Sequence, residues 1–462
     1  MTVLSRRTVL SGMAAVAAVP AWAQTPARDP DVIVIGAGAA GLAAAKRLID
    51  DGKTVVVLEA ASRIGGRAYT DDTTFGVPFD HGCSWMAGPQ TLPLASMARD
   101  WGFTLLDHRS AGEVVFNGDR RINAEERRHY NNAYAKIEAA LAEAGASRKD
   151  VPASEIVPPD LPFAGNVQTW IGPMDWGVDF ANLSTLDYWI SGDAQINYRI
   201  KEGYGTLITR FGRDLPVRLN TPATTIDWSG EGVVVDTPVG SIRAKACIVT
   251  VSTGVLAANA IRFTPELPDS KQEAVANLPM GLLAKVALQF DGERFGLSPD
   301  RWMSYWVPEP MPAPACYFLG FPFDFDLMIG FFGGDFGWEL SKAGEEAAID
   351  FALGELVRHL GSDVRKHFVR GTMTDWATNP LTQGAYAAAR PGHYRARLDM
   401  ALPVGDRVFF AGEAVAGEWI ALCGGAFLSG QRVAEEVAAV ITPGRGCNCP
   451  GKQPRGQSQK QD

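Results

Sequence analysis

Residues 32–67 read VIVIGAGAAGLAAAKRLIDDGKTVVVLEAASRIGGR, and this stretch decides the fold. Val32–Ile35 is an unbroken apolar run, the pattern of a parallel strand buried on both faces. Gly36, Gly38 and Gly41 then spell G-x-G-x-x-G, and Leu42 to Leu48 read as an Ala-rich helix. Each glycine has a mechanical task. The first makes the tight turn, the second lets a pyrophosphate reach the backbone, and the third lets helix and strand pack closely. The phosphates are then expected on the N–H groups at the positive end of the helix. Val55–Leu58 is the second strand, and Glu59 closes it about twenty residues past the glycines, where a carboxylate can bind ribose hydroxyls. A lone G-x-G-x-x-G is weak, because Gly-rich turns are common. Here strand, turn, helix, strand and terminal acid follow in the order that a dinucleotide-binding α/β unit requires.

Arg63, Gly65, Gly66 and Arg67 extend the motif as R-x-G-G-R. This extension resembles that of flavin-dependent amine oxidases and their relatives, in which the second arginine meets the FAD phosphates. The resemblance implies FAD held by Gly36, Gly38, Ala39, Ala40, Gly41, Glu59, Ala60, Arg63, Gly66 and Arg67.

At 462 residues the chain exceeds one typical domain, so two interleaved domains are expected. With 46% apolar and 21% charged residues it can bury a large core, which argues against global disorder. Lys+Arg 43 against Asp+Glu 52 gives a net charge of −9 with no basic run, which argues against nucleic acid and anionic lipid as partners. Ser5-Arg6-Arg7-Thr8-Val9-Leu10 looks like a twin-arginine export signal. An Ala/Val run from Val9 to Val19 and an A-x-A site at Ala21-Trp22-Ala23 follow it. That run is too short for a membrane span of ~20 residues. Residues 1–23 are therefore read as a leader and the periplasm as the destination. The six cysteines, at 83, 247, 316, 423, 447 and 449, form no C-x-x-C, and no histidine spacing suggests zinc, so no metal site is expected. The first four sit in apolar or Gly-rich surroundings that suit buried thiols. Cys447 and Cys449 lie in a polar tail, 442–462, read as disordered.

Phe79-Asp-His-Gly82-Cys-Ser84-Trp85 resembles the family stretch whose backbone runs past the flavin ring; His81 within it reads as a structural residue. Asn123-Ala-Glu-Glu126 is a capping box opening a helix with Tyr130, Tyr134, Ile137 and Leu141 on one face. Pro152 to Pro162 is a Pro-rich loop. Gly203-Tyr-Gly205 turns into a helix, and Thr221–Ile226, Gly232–Asp236 and Ala246–Val251 read as strands. The series resembles the returning part of an FAD domain, with Ala223 beside the adenine end. Residues 285–395 hold Trp302, Tyr305, Trp306, Tyr317, Phe318, Phe321, Phe331 and Phe332, which suggests a sheet lining an apolar cavity.

Three stretches carry the chemistry. In Leu282–Phe290, Lys285 stands between apolar strand residues, where a lysine would ordinarily snorkel outward. The resemblance places it at the flavin-facing lysine, which holds a water against flavin N5 and assists the reaction with oxygen. In Asp375–Tyr386 the spacing W-x-x-x-P-x-x-x-G-x-Y matches the family, with Trp376 along the flavin and Tyr386 as an aromatic wall favouring an amine nitrogen. Some monoamine oxidases tether FAD through a cysteine just before this tyrosine. Here Ala385 stands there, which implies non-covalent FAD. The third stretch is Arg407–Glu413 with Trp419–Ala426. It resembles the closing FAD motif, with Gly412 and Glu413 near the ribityl–pyrophosphate part and Leu422 and Cys423 at the pyrimidine edge. Leu422 stands where monoamine oxidases often place a second aromatic, and Trp419 is close enough to substitute. Polyamine oxidases often carry Glu or His two residues past the motif Trp85, whereas this chain has Ala87, which weakens a polyamine assignment.

The expected fold is α/β, a discontinuous Rossmann-type FAD domain (30–105, 204–284 and 400–441) interleaved with an α+β substrate domain (106–203 and 285–399). The expected activity is oxidation of an amine by hydride transfer to FAD, giving an imine and then an aldehyde or ketone. O2, or another acceptor, takes the electrons, O2 yielding H2O2. Lys285, Tyr386, Trp419 and Trp376 are the candidate catalytic residues. An L-amino-acid oxidase or tryptophan 2-monooxygenase is the alternative and would need an arginine on the substrate carboxylate, for which Arg199 and Arg390 are candidates. A flavin desaturase fits less well. A homodimer is one assembly open to such a chain.

Overall fold

A computed structural model describes residues 29–88, 93–108, 111–191, 197–308 and 310–442. The twin-arginine segment and the 443–462 tail, with Cys447 and Cys449, lie outside the described residues. Val32–Ile35 forms the centre of a five-stranded parallel sheet. It pairs in register with Val55–Leu58 on one side and Ala246–Val249 on the other. Val408–Phe410 and the short Val217–Arg218 form the edges. The strands come from four distant parts of the chain, so their alternate side chains fill one core on each face. On one face the helix Ala39–Asp50 packs against the last helix, Cys423–Ile441. Gly430 permits the contact, since a side chain there would collide with the Ala40 carbonyl. The helix expected over 42–48 thus starts three residues earlier, directly after Gly38.

The second layer is a seven-stranded sheet in the order 368–373, 283–290, 327–333, 317–320, 301–305, 113–117, 120–121. Its core holds most of the aromatic set expected from 285–395, including Tyr305, Tyr317, Phe318, Phe321, Phe331 and Phe332, whereas Trp306 is exposed. Glu113–Asn117 joins it by pairing parallel to Arg301–Tyr305, a long-range pairing that no local pattern announces. The capping box at Asn123 and Glu126 is formed in both directions and opens Ala124–Ala146, which buries Tyr130, Ile137 and Leu141. Trp85–Ala87 pairs with Asn197–Ile200 in a small third sheet. Among the described residues no helix is long and apolar enough to cross a membrane.

Candidate active site

The three glycines differ in what surrounds them. Gly36 has φ +102°, and a Cβ there would sit 2.6 Å from the Thr250 hydroxyl, which itself donates to Ile35 O at 2.8 Å. A side chain on Gly41 would collide with the Gly36 carbonyl. Gly38 alone opens onto space, with no atom within 4 Å of a would-be Cβ. That is the arrangement a phosphate cradle needs, with the N-terminal residues Ala39 and Ala40 just behind. Glu59, 8% exposed, accepts from Ala37 N and Ala61 N, both at 2.7 Å. Those bonds aim its carboxylate across the glycine turn, beside the partly exposed Ala60. Arg63 donates to Gly66 O at 2.8 Å and lies 4.0 Å over the Tyr69 ring. Ala223 is buried just ahead of the strand Thr225–Asp227.

Arg67 joins the two ends of the site. It donates to Ala385 O at 2.7 Å and pairs with Glu413 at 3.0 Å. The same Glu413 oxygen accepts from Ala387 N at 3.1 Å. The other, Oε2, is buried without a hydrogen-bond partner among the described residues. Gly412, at φ +144°, turns the Val408–Phe410 strand into Glu413, and its N–H is held by Ser429 Oγ. Leu422 is extended and caps the last helix, which begins at Cys423, two residues before the expected Gly425.

Lys285 does not snorkel. It is 4% exposed and donates to Asp80 O at 2.8 Å, Gly82 O at 2.5 Å and Ser84 Oγ at 2.6 Å. All three ammonium protons therefore hold the Asp80–Ser84 stretch. Burial pushes its pKa down to about 8, against the pull of Asp80. The cation still outnumbers the neutral amine about tenfold at pH 7. The ring faces of Trp85 and Phe331 lie 5.9 and 5.8 Å from Nζ. Trp85 stacks on Trp302 at 5.6 Å. Trp376 is buried and donates to His81 O at 3.0 Å, its ring edge against Gly82, where any side chain would collide with Arg67 O. His81 is a packed ring against Tyr69 and Phe79, and burial lowers its pKa.

Tyr386 pairs with Gly281 across a two-stranded ribbon, and its hydroxyl donates to Asp175 O at 2.6 Å. Trp419, partly exposed, ends a short turn against Gly425. Asp175 was not singled out from the sequence. Its side chain is accessible, yet protein surrounds it so closely that burial alone raises its pKa to about 6. Among the described residues no cation or hydrogen-bond donor meets its carboxylate. Asp175 sits in Trp170–Trp176, a wide π-type turn interrupted by Pro173, and a single acid in an aromatic, Pro-broken segment was the available signal. Of the arginines considered for a substrate carboxylate, Arg199 is buried against Asp300 at 3.0 Å and Arg390 is exposed on Ala276 O.

A glycine-cradled nucleotide sheet joined by Arg67 and Lys285 to an aromatic second layer defines a flavoprotein oxidoreductase. The residues fit FAD, since Gly38 opens where the pyrophosphate must approach and Glu413 Oε2 is a buried acceptor with no donor among the described residues. The family model "Flavin containing amine oxidoreductase" matches residues 175–438, and an NAD(P)-binding Rossmann-like domain model matches residues 34–101. The chain is 31% identical to "Probable polyamine oxidase 4" of Arabidopsis thaliana, over 87% of this chain and 86% of that protein. It is 29% identical to polyamine oxidase 4 of Oryza sativa subsp. japonica, over 89% of each. In fold it is similar to putrescine oxidase bound to putrescine, at TM-score 0.74 and 22% identity over 89% of this chain and 99% of that one. The chain belongs to the flavin-containing amine oxidoreductases. It is an enzyme that oxidises amines, with FAD as its cofactor. The amino-acid oxidase alternative is not favoured.

Proposed function

We propose that the substrate is a diamine or polyamine, oxidised at one nitrogen while a second, cationic nitrogen rests on Asp175. The observation that carries this reading is the carboxylate of Asp175, exposed, held up to a pKa of about 6 and without a partner among the described residues, whose backbone carbonyl anchors the Tyr386 hydroxyl. Ala87 is buried and offers no acid, so Asp175 supplies the charge that the Trp85 strand lacks. The similar polyamine oxidases and the putrescine-bound structure support the same substrate class.

FAD, when bound, supplies the two-electron acceptor for the substrate and passes the electrons to O2. The protein's part is orientation and exclusion of water. Tyr386 and Trp419 form the aromatic walls that receive the reacting nitrogen. Trp376 and the Asp80–Ser84 backbone form the floor along the cofactor, and Lys285 holds that backbone while keeping a positive charge beside it. FAD is held without a covalent tether, since Ala385 has no thiol. We further propose export to the periplasm by the twin-arginine route, on the strength of Ser5–Leu10.

Peroxide release from 1,4-diaminobutane and n-butylamine, in parent and Asp175→Asn, tests the reading. A charge-assisted contact of ~1.5–3 kcal/mol corresponds to about 10–100-fold. KM for the diamine should rise by about that factor in the variant, while KM for the monoamine stays put. Equal shifts for both amines would remove Asp175 from substrate recognition.

A further inference from the structure

Outside the cofactor cradle lies an ion pair that the chemistry above does not use. Arg397 and Asp187 are buried, with side chains 3% and 0% exposed. The guanidinium grips the carboxylate in a fork, Nε to Oδ1 at 2.6 Å and NH2 to Oδ2 at 2.8 Å. The pair's remaining capacity goes to backbone. Arg397 donates to Ala387 O at 2.8 Å and to Ala414 O at 2.9 Å, and Asp187 Oδ2 accepts from Ala389 N at 2.9 Å. Ala387 follows Tyr386, and Ala414 follows Glu413. From the other side, Arg67 holds Ala385 O and the Glu413 carboxylate. The carbonyls on both sides of Tyr386 are thus each fixed by a guanidinium, and the same two arginines fix the Glu413 turn.

A buried ion pair is poor value as a stabiliser, because desolvation of both charges offsets most of their attraction. What a rigid fork supplies is geometry, with planar donors set at fixed angles to three chain segments. Asp187 belongs to the short helix Thr185–Ile190 and Arg397 to Arg395–Ala401, so the pair also links two otherwise separate helices at this junction. We propose that Asp187 and Arg397 are positioning residues for amine oxidation, setting the Tyr386 wall against the Glu413 turn. The proposal rests on Tyr386 being a wall of the amine site.

FAD-loaded Arg397→Lys, Asp187→Asn and Tyr386→Ala should be compared with the parent. Three quantities are read: the anaerobic flavin reduction rate at saturating amine, the FAD dissociation constant, and the Kd of tert-butylamine. The last has no α-C–H to oxidise, and its binding is followed by the flavin spectrum. Misorientation of a reacting geometry costs on the order of 10–100-fold. Arg397→Lys and Asp187→Asn should slow reduction and weaken tert-butylamine by about tenfold or more, beyond any loss of FAD affinity. Asp187→Glu, which keeps the carboxylate, should recover part of both. Folded, FAD-loaded variants with parental reduction and parental tert-butylamine binding would overturn the proposal. So would failure of both variants to fold, because the pair would then serve the fold and not the wall. A parental Tyr386→Ala enzyme would instead overturn the cage on which the proposal rests.

Discussion

Arg67 and Glu413 stand 346 residues apart in the chain and meet at 3.0 Å, with the carboxylate almost fully buried. The contact ties the first FAD motif to the last and leaves Glu413 Oε2 as a buried acceptor without a donor among the described residues. A buried acceptor is costly to leave unpaired, so a ribityl or ribose hydroxyl of the cofactor is its natural partner.

Glu413→Gln should therefore weaken FAD binding, since one charge-assisted bond and the Arg67 pair are lost together. At ~1.5–3 kcal/mol the FAD dissociation constant should rise about 10–100-fold, read from the quenching of FAD fluorescence. Acid precipitation of the parent should release all of its FAD intact, given Ala385. An unchanged dissociation constant would take Glu413 out of the cradle, and flavin retained on the polypeptide would contradict non-covalent binding.

Lys285→Met should have two separable effects. It removes the donor from three acceptors, the buried Ser84 Oγ and the part-buried Asp80 O and Gly82 O, so the melting temperature should fall. It also removes a fixed cation beside the cofactor, so reoxidation by O2 should slow by about 10²-fold while reduction by amine falls less. Burial holds the lysine near pKa 8, so the parent's reoxidation should decline as pH rises through about 8 and the variant's should not. Rapid mixing of reduced enzyme with O2 reads both. Parental oxygen reactivity in a destabilised variant would leave Lys285 a purely structural strut.

Export should require the arginine pair itself. Arg6→Lys with Arg7→Lys keeps the charge but not the receptor-read signal, and the protein should be retained in the cytoplasm. Normal periplasmic activity of the double variant, measured after fractionation, would refute the twin-arginine assignment.

The nucleotide half was legible because its signals are local. Four-residue apolar runs, glycines at fixed offsets and a strand-ending acid are set by backbone sterics and appear where Val32–Glu59 says they should. Asn123 and Glu126 were legible for the same reason. Long-range facts were not. Nothing near Lys285 reveals that the Asp80–Ser84 backbone will satisfy its ammonium, and a strand lysine read alone defaults to snorkelling. Arg397 and Asp187 look like ordinary surface charges until folding brings them together. Asp175 was missed because the groups that surround it, Tyr134 and Tyr386, come from remote parts of the chain.

Asp175 is the proposed seat of the far ammonium of the substrate. Its pKa, raised by burial to about 6, gives that contact a pH signature. Below this value the ionised fraction falls about tenfold per unit, and with it the attraction for a cation. Across pH 5 to 8 both 1,4-diaminobutane and n-butylamine are almost fully protonated, so deprotonation of the reacting nitrogen changes by the same factor per pH unit in each and cancels in their ratio. The measurement is the ratio of their Kd values, from anaerobic flavin reduction, across pH 5 to 8. The diamine's advantage should be full above about pH 7 and shrink steadily below about pH 6. A ratio that stays flat across the range, or a monoamine bound as well as the diamine at pH 8, would contradict the account.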